Sequence, residues 1–260
     1  VVERPALEAV LLDAGGTLGR LDFEWMADCV TSLGHPVDAA TLRTAELVGR
    51  RCYDLSAGIG HGESPPLGAA GNIHDYFGGM LEAAGVPGDL VDRALPAFMA
   101  QQAGPGLWAR RMEGAIQALD GLHALGLRRA VVSNSDGRAE WHLREWGVLE
   151  HLEFVIDSHL VQIEKPDPRI FHLALDRLGV PAARALYVGD IRCVDEVGAH
   201  AAGMHFVLID PTGRYVGDAG HHIRRIIDLP GWIEQHFEVP APRKWVVGSP
   251  SSRPDAQEDT

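Results

Sequence analysis

Five short apolar runs constrain the fold of this chain more than any other feature. Residues 9–12 end at Asp13, 130–132 at Ser133, 154–156 at Asp157, 185–188 at Gly189-Asp190 and 206–209 at Asp210. Runs of this length, rich in β-branched residues and closed by a polar or glycine residue, read as strands buried on both faces. Between them, residues 114–126, 137–147, 168–179 and 193–203 carry helical periodicity. Strand–helix alternation predicts an α/β fold with a doubly wound parallel sheet. Ligands of such sheets sit beyond the carboxyl ends of the strands. Three of the five runs deliver Asp13, Ser133 and Asp190 to that edge.

Residues 20–108 interrupt the alternation. They lack comparable strand runs and predict helices at 22–33, 39–55, 73–85 and 88–102, with a Gly/Pro-rich loop over 57–71. The 260 residues therefore divide into an α/β core (1–19 and 109–239), an inserted helical cap (20–108) and a tail (240–260). The tail, built of Pro, Ser and charged residues, is expected to be disordered. The last structured element, 221–237, reads as helical.

Four motifs stand where this architecture puts chemistry. Asp13-Ala14-Gly15-Gly16-Thr17-Leu18 presents a carboxylate followed by two glycines, which leave a ligand little steric cover. A carboxylate so placed can attack phosphorus or carbon and form an acyl intermediate. Ser133-Asn134-Ser135 supplies a hydroxyl and backbone donors able to hold a phosphoryl oxygen. Lys165-Pro166-Asp167-Pro168 sets an ammonium before a helix, and Lys165 and Lys244 are the only lysines beside 21 arginines. A role that needs a point charge therefore has few candidates. Gly189-Asp190 with Asp195-Glu196 supplies hard oxygen ligands of the kind Mg²⁺ takes. Each motif alone is weak, because Asp, Ser and Asn also begin turns and cap helices.

Around the cap loop, Arg50, Arg51, His61 and Glu63 are candidates for reading a substrate, Arg51 and His61 foremost. The competing reading of the arginines is a solvated helix face. Arg138, just after the second motif, either reaches a ligand or caps its helix. The histidines form no HxxxH or HExxH spacing, and no GxxxxGK[ST] or GxGxxG loop occurs. Dedicated zinc and nucleotide sites of those kinds are therefore not expected. A formal charge of -13 argues against nucleic-acid or anionic-membrane partners. It leaves room for a small phosphorylated molecule in a pocket lined by donors. Cys29, Cys52 and Cys193 form no CxxC pair, and no apolar run approaches the ~20 residues that span a bilayer. A cytoplasmic protein is the expectation; the oligomeric state stays open.

In this order and setting the four motifs resemble the haloacid dehalogenase superfamily, over residues 8 to 232. Lys-Pro-Asp-Pro-x-Ile-Phe and Val-Gly-Asp…Asp…Gly-Ala…Ala-Gly-Met are especially typical of it. The resemblance implies a Rossmann-like core whose helical cap closes over the site and sets specificity. It implies a Mg²⁺-dependent hydrolase with Asp13 as nucleophile, Ser133 binding the phosphoryl group and Lys165 stabilising charge. Asp13, the Gly15 carbonyl and Asp190 would hold the metal, with Asp195 supporting it, and Gly16 and Asn134 would contribute to substrate binding. One departure stands out. The family's phosphatases carry a second Asp two residues after the nucleophile, as general acid and base; here that position is Gly15. Such help is worth ~10²–10⁴-fold, so three readings follow: a slow phosphatase, a phosphoryl-binding protein with little catalysis, or hydrolysis at carbon. A Schiff-base mechanism is not expected, because residues 20–108 contain no lysine.

Overall fold

In the computed structural model, which describes residues 4–59, 71–213 and 221–240, β1 (Ala9–Leu12) runs through the middle of a six-stranded sheet. All four of its side chains are buried, so the segment carries no polar group before Asp13. The chain leaves the sheet through β2 (Gly19–Arg20) and passes through α1 (Phe23–Ser32), α2 (Ala39–Ser56), α3 (Ile73–Ala83) and α4 (Gly88–Ala103). It returns through β3 (Arg110–Arg111), which pairs antiparallel with β2. Then follow α5 (Ala115–Ala124), β4 (Arg128–Ser133), α6 (Ala139–Glu145), β5 (Val155–Asp157), α7 (Ser158–Val161) and α8 (Pro168–Leu178). After β6 (Ala185–Gly189) come a π-helical turn (Arg192–Glu196), α9 (Val197–Ala201), β7 (His205–Ile209), β8 (His222–Ile223) and α10 (Leu229–His236).

The six strands are parallel and run in the order β5-β4-β1-β6-β7-β8. Counted along the chain within this sheet, the order is 3-2-1-4-5-6, that of a doubly wound fold. The winding direction reverses between β1 and β6, and a crevice is expected at their carboxyl ends. Successive strand residues face opposite sides. Val10 and Leu12 pack with Leu119, Leu122, Leu229 and Ile233, beneath α5 and α10. Ala9 and Leu11 pack with Ile170, Phe171 and Leu175 of α8.

The inserted helices have their own apolar cluster, including Met26, Leu42, Phe77 and Phe98. Three of them begin where a short acidic or amide side chain satisfies a free backbone N–H. Asp22 accepts from Trp25, Asp38 from Thr41 and Asn72 from His74. The helices follow the sequence periodicity closely. Two elements depart from it. His222–Ile223, expected within a helix, is an edge strand against Leu208 and Ile209, and α10 begins only at Leu229. The segment expected to be helical from 193 opens with the π turn. His61, Glu63 and the tail from 241 lie outside the described residues. Among those described, no helix is long and apolar enough to cross a membrane.

Candidate active site

Lys165 ties the end of β1 to the π turn that follows β6. Its ammonium donates to Asp13 Oδ1 at 2.6 Å, Asp195 Oδ1 at 2.8 Å and the Tyr187 hydroxyl at 2.9 Å. Tyr187 in turn donates to the Val132 carbonyl at 2.8 Å. The other oxygen of Asp195 accepts from the backbone amides of Asp190 and Ile191, each at 3.0 Å. Asp195 thus shapes the loop that carries Asp190. Asn134 holds the lysine's own backbone: its Oδ1 accepts from Lys165 N at 2.8 Å and its Nδ2 donates to Lys165 O at 3.0 Å.

A second buried chain of charges comes from the inserted helices. On α2, Arg50 Nη2 pairs with Glu46 Oε1 at 3.0 Å and Nη1 with Asp190 Oδ2 at 3.2 Å. Tyr76 donates its hydroxyl to the same Glu46 oxygen at 2.8 Å. One turn further along α2, Asp54 Oδ1 accepts from the Cys193 amide at 2.7 Å, so the helix also holds the π turn. Glu46, Arg50 and Asp54 are all buried.

Burial and charge together set the protonation states. Burial pushes the Asp13 carboxyl up to about 6; Lys165 opposes the shift and Asp195 adds to it. Burial also drives Asp190 well above the usual carboxylate range, against Arg50 and with help from Asp13, Asp195 and Glu46. For Lys165 burial works the other way, but Asp13 and Asp195 outweigh it and hold the ammonium well above its ordinary value. The partners thus shift in ways that look opposed. One shared ammonium is amply compensated, while each carboxylate has only part of a cation. Across the two chains, four carboxyls (Asp13, Asp195, Asp190, Glu46) face two cations (Lys165, Arg50). A divalent cation is the charge this cluster lacks, and its donors are hard oxygens. Among the described residues no three His, Cys, Asp or Glu side chains form a metal cage. Mg²⁺ does not need one, because it keeps waters and uses one or two carboxylates. The residues present fit Mg²⁺.

Asp13, Gly15, Ser133, Lys165, Asp190 and Asp195 line one pocket of about 230 Å³, walled by Tyr53, Tyr76, Trp108, His142 and Trp146. Burial, reinforced by Arg138, lowers the His142 imidazole below its usual value. A Cβ at Gly15 would lie 3.0 Å from both Cδ1 and Nε1 of Trp108. The indole therefore covers the position where a second carboxylate would stand.

Several expected site residues are placed otherwise. Gly16, at φ 77°, packs so closely under Asp190 that a Cβ would lie 2.0 Å from its Oδ2. Its amide donates to Gly19 O at 2.7 Å, so Gly16 shapes the loop after Asp13 instead of facing the pocket. Asn134 lines the pocket but commits both ends of its side-chain amide to the Lys165 backbone. Arg51 is exposed and borders a separate recess. One residue along a helix turns a side chain by about 100°, and it is Arg50 that turns inward and reaches Asp190. Arg138 does not reach the pocket; it pairs with Asp136 and donates to the carbonyls of Gln102 and Gly104. Sequence reasoning missed Tyr187, Trp108 and His142. Of these only Tyr187 left a signal, since a tyrosine inside a buried strand needs a partner for its hydroxyl.

The family model for haloacid dehalogenase-like hydrolases matches residues 7–203. Haloacid dehalogenase-like hydrolase domain-containing protein 3 of Mus musculus is 47% identical over 98 residues, 38% of this chain and 39% of that protein. The chain thus spans about two-fifths of that relative's length. A phosphoglycolate phosphatase of Pseudomonas savastanoi is 28% identical over 256 residues, 94% of this chain and 85% of the relative. The crystal structure of a HAD phosphatase from Thermococcus onnurineus shares the fold with a TM-score of 0.52 at 20% identity, covering 87% of this chain and 98% of that one.

Proposed function

Because this chain belongs to the haloacid dehalogenase-like hydrolase family, we propose that it hydrolyses a small phosphorylated metabolite through an aspartyl-phosphate at Asp13. The observation that carries this reading is the Asp13 carboxylate, buried at the end of the central strand and held by Lys165 at 2.6 Å in a pocket it shares with Ser133 and Asp190. A carboxylate fixed in this way is oriented for attack without giving up its second oxygen. That oxygen bonds to phosphorus as the bond from phosphorus to the leaving oxygen breaks. Water then attacks phosphorus, releases phosphate and restores the carboxylate. Ser133 binds a phosphoryl oxygen, and the Lys165 ammonium, held at Asp13, balances the charge that develops there. Asp13, the Gly15 carbonyl and Asp190 would hold Mg²⁺, which when bound supplies further neutralisation between nucleophile and phosphoryl group. The phosphatase named among the relatives, similar over 94% of this chain, supports phosphorus over carbon as the centre attacked.

Gly15 sets the limit on rate. With the indole of Trp108 over it, the leaving group receives no proton from a carboxylate at that position. Alkyl phosphates are then slow substrates, and esters that leave as stable anions are better ones. The pocket, about 230 Å³, is smaller than most ligand pockets, which suits a small metabolite. Assaying a phosphate-ester panel with and without Mg²⁺, alongside Asp13→Asn, tests the proposal. Metal-dependent phosphate release that vanishes in the variant is expected. Halide release from 2-haloacids without metal would replace this reading with hydrolysis at carbon. Phosphoryl ligands that bind without any turnover would replace it with a binding role.

A further inference from the structure

We propose that Arg50 is a resident cation on Asp190 that opposes Mg²⁺, so that metal binding and the seating of α2 on the core counteract each other. The inference rests on the Mg²⁺ reading of the site. Arg50 belongs to the inserted helices and Asp190 to the core, yet their side chains, 3% and 6% exposed, meet at 3.2 Å. The oxygen that Arg50 engages is the one packed over Gly16, on the nucleophile loop. A cation held by Asp13 and Asp190 from the pocket side would share the Asp190 carboxylate with the guanidinium. Two like charges inside a buried site repel with little screening from solvent ions.

A lysine at position 50 could relieve the conflict by losing its proton. An arginine cannot, because its guanidinium stays charged in proteins. Relief must come from movement, and Arg50 is carried by a whole helix. Glu46 holds its other nitrogen at 3.0 Å, and Tyr76 holds Glu46, so the arginine moves with its surroundings. The same helix meets the π turn through Asp54 and the Cys193 amide at 2.7 Å. Arg50 Nη1 also donates to the Ile209 carbonyl of β7 at 3.4 Å, so displacement of Arg50 loosens that contact of α2 with the core as well. Coupling of this kind is reciprocal: seating α2 weakens metal binding by the factor by which metal unseats α2. Arg50 is a positioning residue here, acting through Asp190.

Calorimetric titration of Mg²⁺ into the wild-type chain, Arg50→Gln and Asp190→Asn tests the inference. Hydrogen exchange of the wild type with and without saturating Mg²⁺ complements it. Removing the guanidinium is expected to tighten Mg²⁺ binding roughly tenfold, and Asp190→Asn to weaken it. A merely structural arginine would give no gain in affinity when lost. In the wild type, Mg²⁺ is expected to speed exchange of the α2 amides near residues 46–56, a readout that does not depend on the variant folding. Equal or weaker binding by Arg50→Gln, or α2 amides better protected with Mg²⁺, would overturn the inference and leave the metal site standing. Failure of wild type and Arg50→Gln alike to take up Mg²⁺ would overturn both.

Discussion

A lysine ammonium has three protons, and at Lys165 each finds an acceptor: Asp13, Asp195 and Tyr187. Lys165→Met strands two buried carboxylates without their cation. Breaking a buried pair in this way typically costs about 3–5 kcal/mol, so a large drop in the urea midpoint is expected together with loss of turnover. Arginine is no substitute, since a planar fork cannot reproduce three convergent bonds from one atom. Asp13 sets a pH dependence. Its carboxyl rises from 3.8 to about 6, burial being the main cause. A raised carboxyl binds its proton more tightly when folded, so protons compete with Mg²⁺ up to that pH. Metal affinity is expected to fall as pH drops from 7 through 6 to 5; a flat profile over that range would contradict the assignment. At Gly15, a Cβ only 3.0 Å from the Trp108 indole means that Gly15→Asp alone forces the ring aside. Gly15→Asp with Trp108→Ala is expected to speed alkyl phosphate hydrolysis by about 10²–10⁴-fold over Trp108→Ala, with a smaller gain for Gly15→Asp alone. Equal gains in the two backgrounds would show that the indole does not guard the position. Lys165 was legible in the sequence because lysine is scarce and prolines frame it. Arg51 ranks ahead of Arg50 in the sequence, because nothing local tells which of two adjacent helical residues faces inward.

At the scale of elements, α2 is both the longest helix among the described residues and a main link between the inserted helices and the site. Its buried polar stripe recurs every four residues, at Glu46, Arg50 and Asp54. By composition that stripe reads as a solvated face, since charged residues are rarely buried unless paired. Its partners lie far away in the chain, at Asp190 and Cys193, and no local pattern announces them. Asp54→Ala leaves the Cys193 amide without its acceptor in a buried turn. Losing such a partner costs about 1–3 kcal/mol. The thermal midpoint is expected to fall, and exchange of amides 191–196 to quicken; unchanged exchange there would mean that the π turn holds itself. From sequence the turn reads as ordinary helix, because its extra residue leaves no trace in a short window. The edge strand β8 was missed for a related reason: two residues are too few to show alternation. The inserted helices were legible almost to the residue, since a capping side chain and a clear apolar stripe mark most of them.

For the molecule as a whole, the sheet order explains why five short runs predicted so much. Strands read as buried and parallel leave few topologies, and right-handed crossovers reduce those further. The observed order places the winding reversal between β1 and β6, and so brings Asp13 and Asp190 to the same crevice although 177 positions separate them. Ser133 arrives on the neighbouring strand and Lys165 from the loop before α8. The convergence is thus a consequence of topology, and the charge imbalance within it is a consequence of burial. Four carboxyls against two cations make a phosphoryl mimic with Mg²⁺ a stabilising ligand of this pocket. Beryllium fluoride with Mg²⁺ mimics a phosphorylated aspartate only when it bonds to a carboxylate. At a hundred times its dissociation constant a ligand stabilises the folded state by about 2.7 kcal/mol. At about 2–4 °C per kcal/mol for a domain of this size, a rise of roughly 5–10 °C in thermal midpoint is expected for the wild type, and none for Asp13→Asn. A rise of the same size in Asp13→Asn would place the anion elsewhere and remove Asp13 as the nucleophile.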